Sequence, residues 1–526
     1  MDIVELRRKR FLRPLWAVVL LGGLSGVTRG QTQDQPAQAP AQQSMPPQDQ
    51  NQGQKQADKP AEATQAPTPP PPSEEKEVKI TPREAEELFH SVDEILAFDS
   101  QRTGLPIKKQ VKRRLTSRDE VVAYLTKHMK DEDVKRLQRS ELVLKKFGLL
   151  PRDYDMEKLL VDLLREEIAG YYDPKTKTVN LLDWVPMEEQ EPVLAHELTH
   201  ALQDQSVGLD KWMKRGEKDL GEMKKDPTPE DIDNDEMDDA REAVVEGQAQ
   251  AIMFEYAMAP AGHSIADSPD LLESMEAETL TGTPSTKVFN DAPIFMKESL
   301  TFPYSYGLEF VAKLIQTGGK EKAFADVLAH PPHTTRQIMQ PETYLSGEKI
   351  EPMRVPDFKH DFKDYVKFDI GAMGEFDVAV LIEQYAGKDL SKRLYPEWRG
   401  GYYYAAHTKN EAPNPDAGAN PSVTAPLGLL YVSRWSSAEK ASEFAEIYAR
   451  SLEKRYKKVE ENTTSSLEAS TPHPDYKGDD LTGRHSWTTE EGMIVIEEQG
   501  DIVFVSESLD AATTETLEKE VLGAGK

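Results

Sequence analysis

Pro192-Val-Leu-Ala-His196-Glu197-Leu-Thr-His200-Ala-Leu-Gln203 is the stretch on which the reading of this chain turns. Side chains four apart on a helix stand one above the other, so His196 and His200 share a face, with Glu197 beside them. Two neutral imidazoles at that spacing suit one Zn²⁺ ion, and the adjacent carboxylate can take a proton from a water the ion acidifies. The same letters arise by chance on solvated, charged helices. Here Val193, Leu194, Leu198 and Leu202 make the segment apolar enough to be buried, and a buried helix with two His and a Glu has to satisfy them. Pro192 suits a first helical turn, where its missing N–H is no loss.

Two ligands leave a third to be found. A metzincin-type continuation would need Gly and then His at the places held by Gln203 and Ser206, which excludes it. Downstream, Asp239-Ala-Arg-Glu242-Ala-Val-Val-Glu246-Gly-Gln-Ala-Gln-Ala-Ile-Met-Phe-Glu255 reads as a second apolar helix, acidic at its positive end. Glu246 lies among Val244, Val245, Ala249, Ile252 and Met253, poor surroundings for an unpaired carboxylate.

With these two segments the chain resembles the gluzincin metallopeptidases, in which H-E-x-x-H is completed by a Glu from a later helix. Glu246-Gly247-Gln248-Ala249 is similar to the Glu-Gly-x-Ala ligand string of aminopeptidase-type members. The resemblance implies a metal set of His196, His200 and Glu246, with Glu197 as general base. Thermolysin-like members offer the alternative that Glu242 binds and Glu246 orients a histidine. The Gly after Glu246 and its apolar flanks favour Glu246.

Between the two helices, residues 208–238 hold little apolar periodicity and an acidic run, so a surface loop is expected. Asp231, Asp233, Asp235 and Glu242 imitate the spacing of a calcium loop. Glu236 stands where that loop needs Gly, so the run reads instead as the solvated start of a helix. Asp204, four residues past His200, is placed to accept the remaining imidazole N–H. Upstream, Glu167–Asp173 and Thr178–Leu182 flank the turn Asp173-Pro-Lys-Thr-Lys and predict a hairpin. A hairpin before the metal helix resembles the zincin sheet, whose edge strand receives a peptide by strand addition, with Tyr171 and Tyr172 beside the cleft.

Phe302-Pro-Tyr304-Ser-Tyr306-Gly-Leu-Glu-Phe-Val311 opens a helix that should end near Gly318-Gly319, followed by Ala329-His-Pro-Pro-His333. These strings look similar to secreted bacterial proteins of the gluzincin type, which carry His-Pro-Glu where this chain has Gln340-Pro341-Glu342. Tyr304, Tyr306 and His333 are the candidates to donate to the tetrahedral oxyanion.

The flanks bear on where the protein works. Arg7, Arg8, Lys9, Arg10 and Arg13 precede an apolar run from Leu15 to Val27 and the exit Thr28-Arg-Gly30, the layout of a signal peptide. That run is shorter than the roughly 20 residues a spanning helix needs, so stable membrane insertion after leader removal is not expected. Residues 31–78 are a Gln/Pro/Ala-rich tether that cannot bury a core. Folded sequence begins at Thr81-Pro82 with a helix through Phe98, then a strand near Val111 and helices near Arg118–Met129, Asp131–Phe147 and Asp155–Arg165. The 526 residues include no cysteine, which removes thiolate ligands, cysteine nucleophiles and a lipid-acceptor thiol. The formal charge of −29 disfavours nucleic acid and anionic membrane as partners.

After about Gly347 the composition changes. Gly374–Gln384 and Ser437–Tyr448 read as helices, and Gly401–Ala405, Leu427–Arg434, Gly492–Glu497 and Asp501–Ser506 as strands of an antiparallel sheet. His407, His473 and His485 are scattered and polar-flanked, so they read as solvated. The expected architecture is therefore α+β: a signal peptide at 1–30, a tether at 31–78, a zincin-like metallopeptidase domain with mixed sheet and active-site helices at 79–347, and a smaller α+β domain at 348–526. The expected activity is zinc-dependent hydrolysis of a peptide or protein substrate, secreted or in the periplasm of a bacterial cell envelope. A zincin-fold envelope-binding protein with a structural or vestigial metal is the alternative, and hydrolysis of a non-peptide amide would use the same chemistry.

Overall fold

The computed structural model describes residues 80–117, 119–120, 131–167, 170–185, 187–213, 220, 223, 225–265, 287–413, 424–462 and 481–523. The expected signal peptide, the tether, most of the helix at Arg118–Met129, and His473 lie outside them.

Helix α1, Pro82–Thr103, begins where local chemistry requires. Thr81 accepts from the Glu84 N–H, Glu84 accepts from the Thr81 N–H at 2.6 Å, and Gly104 closes the helix at φ 77°. Strand β1, Lys112–Thr116, is followed by α2, Asp131–Phe147, α3, Met156–Glu167, and the strands β2, Tyr171–Asp173, and β3, Thr178–Leu182. The order is β1-β3-β2, with β1 parallel and β2 antiparallel to β3, a small mixed sheet containing the expected hairpin. The metal-motif helix α4, Met187–Val207, follows. Gln190 registers it against the sheet, since its amide accepts from Leu182 N–H and donates to the Leu182 and Val185 carbonyls. Pro192 is not in the first turn as expected but in the helix interior. The helix starts one turn earlier, at Met187, where Gln190 ties it to β3.

Helix α5, Met237–Met258, packs on α4, and α6, Ile294–Lys320, packs on α5. Helix α6 begins two turns before the expected Phe302, because Phe295 and Met296 are also buried, and it breaks at Gly319, φ 69°. The acidic run before α5 is half-buried rather than fully solvated. Thr228 caps the short helix that follows it, with the Asp231 carboxylate accepting from Thr228 N–H at 3.0 Å, Asp235 accepts from Ala372 N–H at 3.0 Å, and buried Glu236 accepts from Thr335 N–H at 2.9 Å. Among the described residues Asp231, Asp233, Asp235 and Glu242 form no group placed to share one ion.

The later half holds β4, Tyr365–Ala372, α7, Glu375–Ala386, β5, Trp398–Thr408, β6, Leu427–Trp435, α8, Ala438–Arg455, β7, Val459–Glu461, β8, Gly483–Thr489, β9, Gly492–Gln499, β10, Ile502–Glu507, and α9, Ala511–Leu522. Its sheet is wholly antiparallel in the order β4-β5-β6-β10-β9-β8-β7, so the fold class is α+β. Alternation along β5 buries both faces. Tyr403 and Ala405 join the main core, while Tyr402 and Tyr404 join a second cluster with Phe358, Leu517 and Val521.

The main core crosses residue 347. Phe147 of α2 packs edge-on against Tyr403 and Tyr431 of the large sheet, at 5.8 and 5.4 Å between ring centres. Buried ion pairs cross the same boundary: Lys146–Glu491 at 2.9 Å and Arg336–Glu375 at 2.8 Å. Among the described residues no helix is long and apolar enough to cross a membrane.

One carboxyl on α1 is buried without a partner among the described residues. Asp99 on α1 is fully buried and neither carboxyl oxygen has a hydrogen-bond partner among the described residues. Burial pushes its pKa well above the usual carboxylate range. The fold accepts the protonated form, so stability from this group is complete below the unfolded pKa of about 3.9 and is lost as pH rises through the folded value. Asp99→Asn should therefore match wild type in urea unfolding near pH 4 and exceed it increasingly toward pH 8. A difference that stays constant across that range would refute this account.

Candidate metal centre

Helix α4 carries His196 and His200 one turn apart, their rings edge to face at 4.7 Å, and α5 brings Glu246 across from them. Glu246 Oε2 is 3.1 Å from His196 Nε2 and 3.5 Å from His200 Nε2. One ligand atom from each of the three residues falls within 4.8 Å of the others, and all three side chains are buried. This group could hold a metal ion. Glu242, half-buried one turn earlier, is not in it.

Two features fit a cation. Bonds of about 2.0–2.1 Å in tetrahedral geometry put ligand atoms roughly 3.3 Å apart, and the two measured separations straddle that figure. The oxygens Glu197 Oε1 and Glu246 Oε1 are buried with no hydrogen-bond partner among the described residues, a state that costs free energy unless a positive charge or water meets them.

The electrostatics show how tightly the group is coupled. Without a cation, burial pushes Glu197 up to about 8, against the pull of His200 and the Tyr172 N–H, and a positive ion beside it would favour the charged form. Burial also raises Glu246, but His200 and the bonds from both imidazoles outweigh it and hold the carboxylate at about 2. Burial lowers His196, whereas Glu246 overcomes burial at His200 and lifts it to about 9.

Glu197 is held by the small sheet, since its Oε2 accepts from the backbone N–H of Tyr172 in β2 at 2.6 Å. That strand is fixed in turn by Asp204. Tyr172 Oη donates to it at 2.8 Å, the Lys177 ammonium pairs with it at 2.6 Å, and the Leu209 N–H reaches it at 3.0 Å. Asp204 therefore does not orient His200 as expected, because the hairpin has claimed it. Gln203 does so instead: its Oε1 lies 2.9 Å from His200 Nδ1.

No protein-family model matches this chain, and no curated protein and no solved structure shows significant similarity to it. What the site can do rests on its own geometry.

Of the three proposed oxyanion donors, one reaches the centre. The Tyr304 ring lies 6.3 Å from that of His196, and after burial the charge of Glu246 is the main influence holding its phenol protonated. Tyr306, two residues on, faces the other way, its ring tilted against that of Phe302 and lining a small cleft with Tyr395 and Glu298. A step of two residues turns about 200° around a helix, so both cannot face one ion. His333 is exposed, its N–H bonded to Gln337, and is not part of the cluster. Gln340 binds Glu375 at 2.7 Å, away from the centre. His407 and His485 make local contacts with Thr408, Glu461 and Thr482.

Glycines set the distance between α5 and α6. A Cβ at Gly247 would stand 2.2 Å from the carbonyl carbon and oxygen of Gly307, and one at Gly307 would stand 2.3 Å from Ala243 O. This backbone-to-backbone crossing places Tyr304 one turn from the contact on α6 and Glu246 next to it on α5.

Proposed function

We propose that this protein is a zinc-dependent metallopeptidase of zincin-like architecture, acting outside the cytoplasm on a peptide or protein substrate. The observation that carries the reading is a second carboxylate, Glu197, buried beside the two-imidazole, one-carboxylate group with one oxygen unpartnered. A purely structural metal needs ligands but no such base.

His196, His200 and Glu246 would hold the ion. When bound, zinc supplies a Lewis acid that acidifies water and polarises a carbonyl. Glu197, fixed through Oε2 by Tyr172, takes the proton of the attacking water on Oε1 and delivers it to the leaving amine. Tyr304, held protonated, donates to the oxyanion of the tetrahedral species. Both groups sit on helices or strands rather than loops, so little reorganisation accompanies the chemistry.

Incubation of the purified protein with a mixed peptide pool, with and without chelator and read by mass spectrometry, tests this. Cleavage that disappears with chelator and returns with zinc is the expected result. Stoichiometric zinc without cleavage of any peptide would replace the enzyme by a metal-containing binding protein.

A further inference from the structure

We infer that Gln203 and Gln248 form a one-directional amide relay that fixes the tautomer of His200 from a backbone anchor two helices away. The inference rests on the metal-centre reading above and concerns residues that touch neither substrate nor the acid–base group.

The direction of each bond follows from the anchor. Gln248 Nε2 lies 2.7 Å from Ala323 O and 3.2 Å from Phe324 O, in the π-helical turn Glu321–Asp326 beyond the break at Gly319. Backbone carbonyls only accept, so the amide nitrogen must face them and both its hydrogens are used. Its oxygen then faces Gln203, whose Nε2 donates to it at 2.9 Å and to Val245 O at 3.0 Å. Turning the Gln203 amide over would set its oxygen against two acceptors. Gln203 Oε1 is therefore committed to His200 Nδ1, which must carry the hydrogen, so Nε2 is the nitrogen left for an ion when one is bound.

Both glutamines are fully buried, so water cannot substitute for a missing partner. Each amide has all of its donor hydrogens assigned. The relay thus does for His200 what a carboxylate does in many zinc sites, but with a neutral group. Gln203 and Gln248 are positioning residues.

Zinc affinity, measured by competition with a chromophoric chelator, separates this from simple packing. Gln203→Met should weaken zinc binding by roughly 10–100-fold. Gln248→Met, which removes no contact to any histidine, should weaken it several-fold, because the Gln203 amide then keeps only Val245 O of the two acceptors that fix its direction. The double variant should bind no more weakly than Gln203→Met alone, since both act through one bond. In the zinc-loaded wild type the His200 Nδ1–H should give a slowly exchanging downfield proton resonance that is lost in either variant.

Zinc affinity unchanged by Gln248→Met, or effects of the two substitutions that simply add, would overturn the relay. Gln248→Ala, which introduces no longer chain, replaces Gln248→Met if circular dichroism shows the latter unfolded. Failure of the wild type to bind zinc would instead refute the metal-centre reading, so the two outcomes are distinct.

Discussion

Replacing Glu197 by Gln should lower peptide hydrolysis by roughly 10²–10⁴-fold while zinc content stays stoichiometric. The substitution conserves shape, and the amide oxygen can still accept the Tyr172 N–H that holds the carboxylate at 2.6 Å. The ligand atoms of His196, His200 and Glu246 are untouched. What is lost is basicity, the one property the proposed proton transfer needs. Initial rates on a peptide identified from the pool, alongside metal analysis of the same preparation, make the comparison. A Glu197→Gln protein that cleaves at the wild-type rate would remove Glu197 from the reaction, and with it the observation that favours an enzyme over a binding protein.

Gly247→Ala should destabilise the fold by about 1–3 kcal/mol and weaken zinc binding with it. Helix propensity alone predicts the opposite sign, because Ala in a helix interior is favoured over Gly by up to about 1 kcal/mol. The crossing decides. The added methyl would lie 2.2 Å from the Gly307 carbonyl, and that obstacle is backbone within a helix, which cannot swing aside as a flexible side chain would. Helices α5 and α6 must separate, moving Glu246 and Tyr304 relative to His196. Urea unfolding and chelator competition read the two consequences. An unfolding midpoint equal to or above that of wild type would show that the helices part without strain.

Some features of this chain are local and could be read locally. The Thr81, Pro82 and Glu84 capping box starts α1, and Ser437 caps α8, because those bonds close within three residues. The expected strands of the large sheet were apolar runs bounded by turn residues, and each lies in β5, β6, β9 or β10. Strands β4, β7 and β8 were not expected. β7 is only three residues long, with two exposed, and is defined by its pairing to β8. Strand β4 reads Tyr-Val-Lys-Phe-Asp-Ile-Gly-Ala, where Lys367 and Asp369 obscure the pattern. Lys367 donates to the Leu220 and Met223 carbonyls, and Tyr403 Oη donates to Asp369 at 3.0 Å, so both charges are satisfied by partners far away in sequence.

The residues around the metal centre divide in the same way. Spacing along one helix gave His196, Glu197 and His200, and an apolar setting gave Glu246, since each argument needs only the sequence next to the residue. Asp204 and Gln203 are both about one turn past His200, and only the docking of the β2–β3 hairpin, which brings Tyr172 and Lys177 to Asp204, leaves the histidine to Gln203. Tyr304 and Tyr306 could not be told apart until the Gly247–Gly307 contact set the rotation of α6. Gln248 had no local signal at all, because its partners Ala323 and Phe324 lie some 75 residues on.

The chain's own letters thus determined that a helix bears two imidazoles and a carboxylate at ion-binding spacing, because helical pitch is a property of the backbone everywhere. The fold alone decided which neighbours complete and orient that group. Phase between packed helices is set by contacts such as two glycines meeting across a gap, and no periodicity within either helix contains that information.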